Sequence, residues 1–101
     1  MLIFNTTYKV STAKTAEWIK WVKDVHIPDM TKKADFSKPQ ITRIVGSDDE
    51  HGTSYSVQFH IATMKELERW HMQHAADLQQ NVSSNFGTEV LFFSTVLDII
   101  E

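Results

Sequence analysis

The 101-residue sequence predicts an α+β domain whose strands and helices follow one another in the order β-α-β-β-α-β. Two segments, residues 2–10 and 54–61, alternate between apolar and polar side chains, as half-buried strands do. Two others, residues 13–26 and 64–81, repeat apolar side chains every three to four positions, as amphipathic helices do. Both kinds of element are therefore expected within one domain that spans residues 1–101.

The first strand is predicted over residues 2–10, and a helix follows it. Ser11 or Thr12 is the expected N-cap, because a hydroxyl there can accept from an unpaired amide of the first turn. The apolar face of the helix contains Trp18, Trp21, Val22 and Val25. Pro28 lacks an amide proton and disfavours helical geometry in the residue before it. We therefore expect the helix to end or kink near His26.

A hairpin is predicted in the middle of the chain. Residues 30–39 are polar without a clear period and read as a loop closed by Pro39. A short second strand covers residues 41–45, and residues 46–52 form a turn with a glycine at each end. In the third strand Tyr55, Val57, Phe59 and Ile61 point one way, and Ser54, Ser56, Gln58 and His60 point the other.

The second helix opens with a capping-box pattern, Thr63 followed by Glu66. It runs to about Asn81, and Gly87 ends the segment. Its predicted apolar face contains Met64, Leu67, His71, Ala75, Leu78 and Val82. The last strand, residues 90–100, is apolar on both parities, which predicts burial on both sides.

This order of elements is that of the ferredoxin-like fold, a four-stranded antiparallel sheet with both helices on one face. The other face is then bare. It is expected to present Asn5, Thr7, Ser56, Gln58 and His60, together with one apolar row of the last strand. Such a face commonly meets a second copy of itself and closes an eight-stranded barrel, so we expect a two-fold homodimer.

Composition excludes several classes of function. Ten basic against 13 acidic residues give a net charge of −3, which argues against nucleic-acid binding. No apolar run approaches the roughly 18 residues that cross a bilayer, so no membrane partner is expected. The first residues lack the features of a signal peptide, which favours the cytoplasm. The chain has no cysteine, and its three glycines provide no phosphate-binding loop.

Four segments carry a resemblance to a known family: NTTYKV, EWIKWVKDVHIPDM, SDDEHGTSYSVQF and ELERWHMQHAADL. They resemble a family of small uncharacterised bacterial proteins with a domain-of-unknown-function label, similar in fold to the dimeric α+β barrels. The likeness runs from Met1 to about Ile100, and its most specific pieces are residues 5–8 and 25–28. The resemblance implies the fold and the dimer but no activity.

Six residues are the candidate ligand-binding set: Asn5, His26, Gln58, His60, Trp70 and His74. His26 either interacts with the negative end of its helix or stands at the rim of a cleft. The polar side chains of the first and third strands are expected to pair with the partner subunit, with water or with a ligand. Trp70 lies off the predicted apolar stripe, where it caps the core edge or lines a pocket.

The remaining histidines predict no chemistry of their own. His71 is expected to be a core histidine, and His51 lies in an acidic, solvated turn. His71 and His74 are spaced for a shared metal, but no third ligand has a suitable spacing. We therefore predict no metal site and no catalytic residue.

Three functions stay open. The first is a homodimeric module that binds a small molecule or a protein without catalysis. The second, implied by the resemblance in fold, is a dimeric-barrel enzyme such as a cofactor-free or haem-dependent monooxygenase. Some haem-degrading proteins of that type use an Asn, a Trp and a His. This chain offers Asn5, Trp70 and His74, although their spacing departs from that pattern, and no cofactor is expected. The third is a subunit of a larger complex.

Overall fold

A computed structural model covers residues 1–101, and its four strands form one antiparallel sheet. The strands are β1 (Leu2–Val10), β2 (Ser37–Arg43), β3 (Thr53–Ile61) and β4 (Val90–Asp98). They lie side by side in the order β2-β3-β1-β4, and every neighbouring pair is antiparallel. The predicted ferredoxin-like arrangement is confirmed.

The first helical segment is longer than predicted. It comprises α1 (Thr15–Trp21), a π-helical turn (Val22–His26) and α2 (Ile27–Lys33). Of the two predicted alternatives, an end or a kink near His26, the end is wrong, because Pro28 falls in the first turn of α2, where its missing amide proton is not needed. The π-helical turn that precedes Pro28 is the irregularity near His26 that the proline predicts.

The predicted hydroxyl cap of this segment does not form. The chain enters through a short 3-10 turn, Thr12–Lys14, without a side-chain cap. The Ser11 hydroxyl instead donates to Glu89 Oε2 at 2.6 Å, which ties the end of β1 to the start of β4.

The second strand begins and ends earlier than predicted, so residues 37–39 belong to β2 rather than to a loop, and residues 44–45 lie outside it. Pro39 is tolerated there because β2 is an edge strand and needs no ladder hydrogen bond on its outer side. The register shifts between Ser37 and Gln40, and Lys38 adopts a positive φ of 49°. The proline is therefore accommodated by a local irregularity rather than by ending the strand.

The long helix α3 (Met64–Phe86) starts at the predicted residue and extends beyond the predicted end. Thr63 Oγ1 accepts from the Glu66 amide at 3.2 Å, which is one half of the predicted capping box. The buried side chains of the helix are Leu67, Trp70, Val82 and Phe86. His71 is exposed, so its assignment to the core is wrong. The rotation of α3 places Trp70 rather than His71 in the core, where its indole packs against Phe4 and Phe36.

The core lies between the helices and one face of the sheet. β1 contributes Phe4, Tyr8 and Val10, and β3 contributes Tyr55, Val57, Phe59 and Ile61. The predicted parity of both strands is confirmed. The last strand differs, because a single chain covers only its helix-facing side and leaves Phe93 63% exposed. None of the helices combines the length and the hydropathy that a membrane span requires.

Candidate functional site

The face of the sheet that points away from the helices, called the open face below, has a polar centre. Asn5 Oδ1 accepts from Gln58 Nε2 at 3.2 Å and from the Ser56 hydroxyl, while Asn5 Nδ2 donates to Thr7 Oγ1 at 3.3 Å. Asn5 and Gln58 are direct partners in the β1–β3 register, which explains why they meet. These four side chains, the polar cluster, satisfy one another.

An apolar strip borders the polar cluster along β4. Leu91 and Phe93 are 61% and 63% exposed, and Leu97 is 41% exposed. Ile3 of β1 is the register partner of Leu97 and extends the strip. Thr95 separates Phe93 from Leu97, but exposed apolar side chains gathered on one sheet face are typical of an interaction surface. His60 lies on the polar side of this face, next to Ile3 in the register.

His26 is buried in the core, 3% exposed, rather than at a cleft rim or a helix end. Its imidazole stacks on Trp21, with ring centroids 4.9 Å apart. Burial lowers the pKa of His26 to about 4, against a smaller opposing effect of the Asp29 carboxylate. The imidazole is therefore neutral at neutral pH.

Two further buried polar groups near His26 were not predicted from the sequence. The Tyr8 hydroxyl and Trp18 Nε1 have no hydrogen-bond partner. The two rings pack at 5.0 Å between centroids, and Tyr8 also meets the edge of His26 at 6.5 Å. Burial raises the pKa of Tyr8 well above its usual range. The sequence signals were the position of Tyr8 on the apolar parity of β1 and that of Trp18 on the apolar face of the first helix, and neither predicts an unpaired polar atom.

Trp70 is a core residue, so its assignment outside the apolar stripe is wrong. Its indole packs edge-on against Phe4 at 5.3 Å and Phe36 at 5.5 Å. Trp70 also lines a groove between α2 and α3, and its Nε1 has no hydrogen-bond partner. His74 lies one turn further along α3 and is half-buried.

The six predicted residues do not form one site. Asn5, Gln58 and His60 are on the open face, whereas Trp70 and His74 belong to α3 on the opposite side of the sheet. Asn5, Trp70 and His74 thus do not converge, and they do not fit the arrangement expected around a haem. No three His, Asp or Glu side chains come together as a metal site.

An apolar groove opens between α3 and β4 and has a volume of about 390 Å³. The residues that line this α3–β4 groove are Phe4, Met64, Leu67, Glu68, His71, Met72, Ser94 and Val96. Ser94 is held by a 3.0 Å hydrogen bond with Thr6. None of the six predicted residues lines it, because its position depends on how α3 sits on the sheet edge.

A second, more polar groove separates α2 from α3 and has a volume of about 330 Å³. The residues that line this α2–α3 groove are Thr31, Lys32, Lys33, Ala34, Asp35, Glu66, Arg69, Trp70 and Gln73. Trp70 is the one predicted site residue that contributes to either groove.

A family model described as "Domain of unknown function (DUF4286)" matches residues 1–100. No curated protein matches the chain.

Solved structures share the fold at low sequence identity. A Deinococcus radiodurans protein, provisionally described as an antibiotic biosynthesis monooxygenase, is 14% identical with a TM-score of 0.69, over 100% of this chain and 94% of its own. A NIPSNAP domain protein from Burkholderia xenovorans is 20% identical with a TM-score of 0.68, covering 98% and 94%. A protein from an uncultured marine organism, described as dimeric and ferredoxin-like, is 14% identical with a TM-score of 0.63, covering 99% and 96%.

Proposed function

The chain belongs to the DUF4286 family, and on that premise we propose that it is a homodimeric binding module. Two copies pair through their open faces, and each copy holds a small molecule with an apolar body and a polar end in its α3–β4 groove. The observation that carries the binding role is the groove itself, which is of ligand size and largely apolar.

The dimer is supported by the composition of the open face. Burying Leu91, Phe93 and Leu97 removes exposed apolar area from water, which favours association. Covering the polar cluster costs little, because Asn5 already pairs with Gln58 and Ser56. The marine protein of the same fold is described as dimeric.

The ligand class follows from the lining of the α3–β4 groove. Phe4, Leu67 and Val96 provide apolar walls, and the volume falls in the range of small-molecule sites, roughly 300 to 1,000 Å³. Glu68 and His71 are exposed on α3 and line the same groove. They suit a polar end that donates and accepts hydrogen bonds.

In this proposal the six candidate residues have different roles. Asn5, Gln58 and His60 serve the dimer interface rather than a ligand. His26 and Trp70 are core residues, and His74 lies one turn from Trp70 on α3.

Nile red, an uncharged dye that fluoresces in apolar surroundings, tests the groove. Val96→Glu puts a charge on its wall and is expected to weaken dye binding at least tenfold. Val45→Glu, at an 86% exposed position of the β2–β3 loop, is the matched control and should bind as the wild type does. Binding that survives Val96→Glu, or that Phe93→Glu abolishes instead, would contradict the proposal.

A cofactor-free monooxygenase is the second candidate. The observation that favours it is the pair of unpartnered polar atoms, Tyr8 OH and Trp18 Nε1, beside the neutral imidazole of His26. Tyr8 and Trp18 are fully buried, so a phenolic substrate would reach these two atoms only when this part of the core opens. Dioxygen uptake with an electron-rich polycyclic phenol, lost in His26→Leu, would support this activity; no uptake above the protein-free rate would reject it.

A further inference from the structure

The α2–α3 groove contains two buried polar atoms that lack partners. Glu66 and Trp70 lie one turn apart on α3, and both line the groove. Glu66 Oε2 and Trp70 Nε1 are shielded from solvent, and neither makes a hydrogen bond, to the other or to any other group. Trp70 as a whole is only 3% exposed. One atom is an anionic acceptor and the other is a neutral donor.

The position of Glu66 is unexpected for a capping-box residue. Its carboxylate was expected to accept from the Thr63 amide, but only the reverse bond, from the Glu66 amide to Thr63 Oγ1, is present. A buried carboxylate oxygen without a donor destabilises the folded chain, because it has lost its hydrogen bonds to water and gained none in return. Buried polar atoms are nearly always paired, so this oxygen calls for a donor that the chain does not supply.

The rim of the groove provides the complementary charge. Lys32 and Arg69 are exposed and make no ion pair, whereas Lys33 is held by Asp29 at 3.0 Å. The groove thus combines a carboxylate acceptor, a buried N–H donor and two free cations. A neutral or singly charged molecule satisfies only part of this set.

We propose that the α2–α3 groove binds a small zwitterion of the α-amino-acid class. When the two side chains turn these atoms towards the groove, the ammonium group donates to Glu66 Oε2, and the carboxylate accepts from Trp70 Nε1 while facing Lys32 and Arg69. The volume of about 330 Å³ accommodates a molecule of this size. This site is distinct from the α3–β4 groove, so the two proposals succeed or fail independently.

NMR titration of the 15N-labelled full chain tests the proposal, because the indole N–H signal of Trp70 reports directly on the unpaired donor. The probes are L-serine, 3-hydroxypropanoate, which lacks the ammonium group, and ethanolamine, which lacks the carboxylate. L-Serine should shift the Trp70 signal and leave those of Trp18 and Trp21 in place. Each single-charge probe should require at least a tenfold higher concentration for the same shift.

Three variants assign the contacts. Glu66→Gln retains the shape but loses the charge, and should weaken L-serine binding at least tenfold. Arg69→Gln changes an exposed residue, so it keeps the fold; it should weaken L-serine but leave ethanolamine unchanged. Asp77→Asn is the control for Glu66→Gln, because it also removes one negative charge, from an exposed part of α3 outside the groove. It should bind L-serine as the wild type does. A Trp70 signal that no probe shifts, or that 3-hydroxypropanoate shifts as readily as L-serine, would overturn the proposal.

Discussion

The imidazole of His26 lies flat against the indole of Trp21, with ring centroids 4.9 Å apart and ring planes at 14°. Phe59 and Tyr8 meet the same imidazole edge-on, at 6.0 and 6.5 Å. A titratable group is thus enclosed by three aromatic rings. His26 is the last residue of the π-helical turn, and its side chain lies on the buried side of the helical segment.

This enclosure predicts a loss of stability in mild acid. The pKa of His26 is about 4 in the folded chain and 6.5 in its ordinary state, so the unfolded chain binds the proton more tightly. Stability is therefore full above about pH 6.5 and declines as the pH falls towards 4, by on the order of 3 kcal/mol. Urea unfolding at several pH values measures the slope of the free energy of unfolding against pH. His26→Leu should flatten it over that interval; an unchanged slope would exclude His26 as its source.

Tyr8→Phe is expected to stabilise the protein. The Tyr8 hydroxyl is buried without a partner, and its removal relieves an unpaired polar group worth about 1 kcal/mol or more. Thermal unfolding of Tyr8→Phe should show a higher midpoint than the wild type. Tyr55→Phe is the control, because that hydroxyl is not among the buried unpaired atoms. A clear loss of stability in Tyr8→Phe would mean that the hydroxyl has a partner.

Gly46 and Gly52 lie at the two ends of the β2–β3 loop, and their Gly→Ala substitutions can be compared directly. Both have positive φ, but a Cβ on Gly52 would lie 1.9 Å from the Val10 carbonyl oxygen, whereas one on Gly46 meets nothing within 4 Å. Gly46→Ala should cost about 1 kcal/mol. Gly52→Ala should cost roughly 3 kcal/mol or more, because it also separates the loop from β1. If chemical denaturation shows equal losses of unfolding free energy in the two variants, the close approach of Gly52 to the Val10 carbonyl is contradicted.

Asn5 and Gln58 should be energetically coupled if the open face is covered. In a covered interface Asn5→Ala leaves the Gln58 amide without its acceptor, at a cost of about 1 to 3 kcal/mol. On a solvent-exposed sheet the same change costs about 0.5 kcal/mol or less. A double-mutant cycle with Gln58→Ala, by denaturation at one protein concentration, separates these cases. Additive effects would indicate an uncovered face.

Sequence patterns predicted the alternating strands well and the elements next to prolines poorly. β1 has its predicted bounds, because a period of two over nine residues allows one interpretation. Besides the end of α3, the boundary errors lie at Pro28, which was predicted to end or kink a helix, and at Pro39, which was predicted to close a loop. Each proline occupies a tolerated position, the first turn of a helix or an edge strand, and that position depends on tertiary structure.

The candidate site was predicted only where strand register determines it. Asn5 and Gln58 were predicted to lie on one face of neighbouring strands, and the β1–β3 register pairs them directly. The choice between Trp70 and His71 depended on a rotation of α3 that no sequence period resolves to one residue. The grooves on either side of α3 depend on the same rotation, so neither was predicted.

The most direct measurement of the central claim is the molar mass in solution, by sedimentation velocity, of the wild type, Phe93→Glu and Val45→Glu. Phe93 is 63% exposed on the open face, and Val45 is 86% exposed in a loop. The wild type and Val45→Glu should sediment at twice the chain mass of 11.7 kDa, and Phe93→Glu at the chain mass. A monomeric wild type, or a Phe93→Glu protein that remains dimeric, would contradict pairing through the open face.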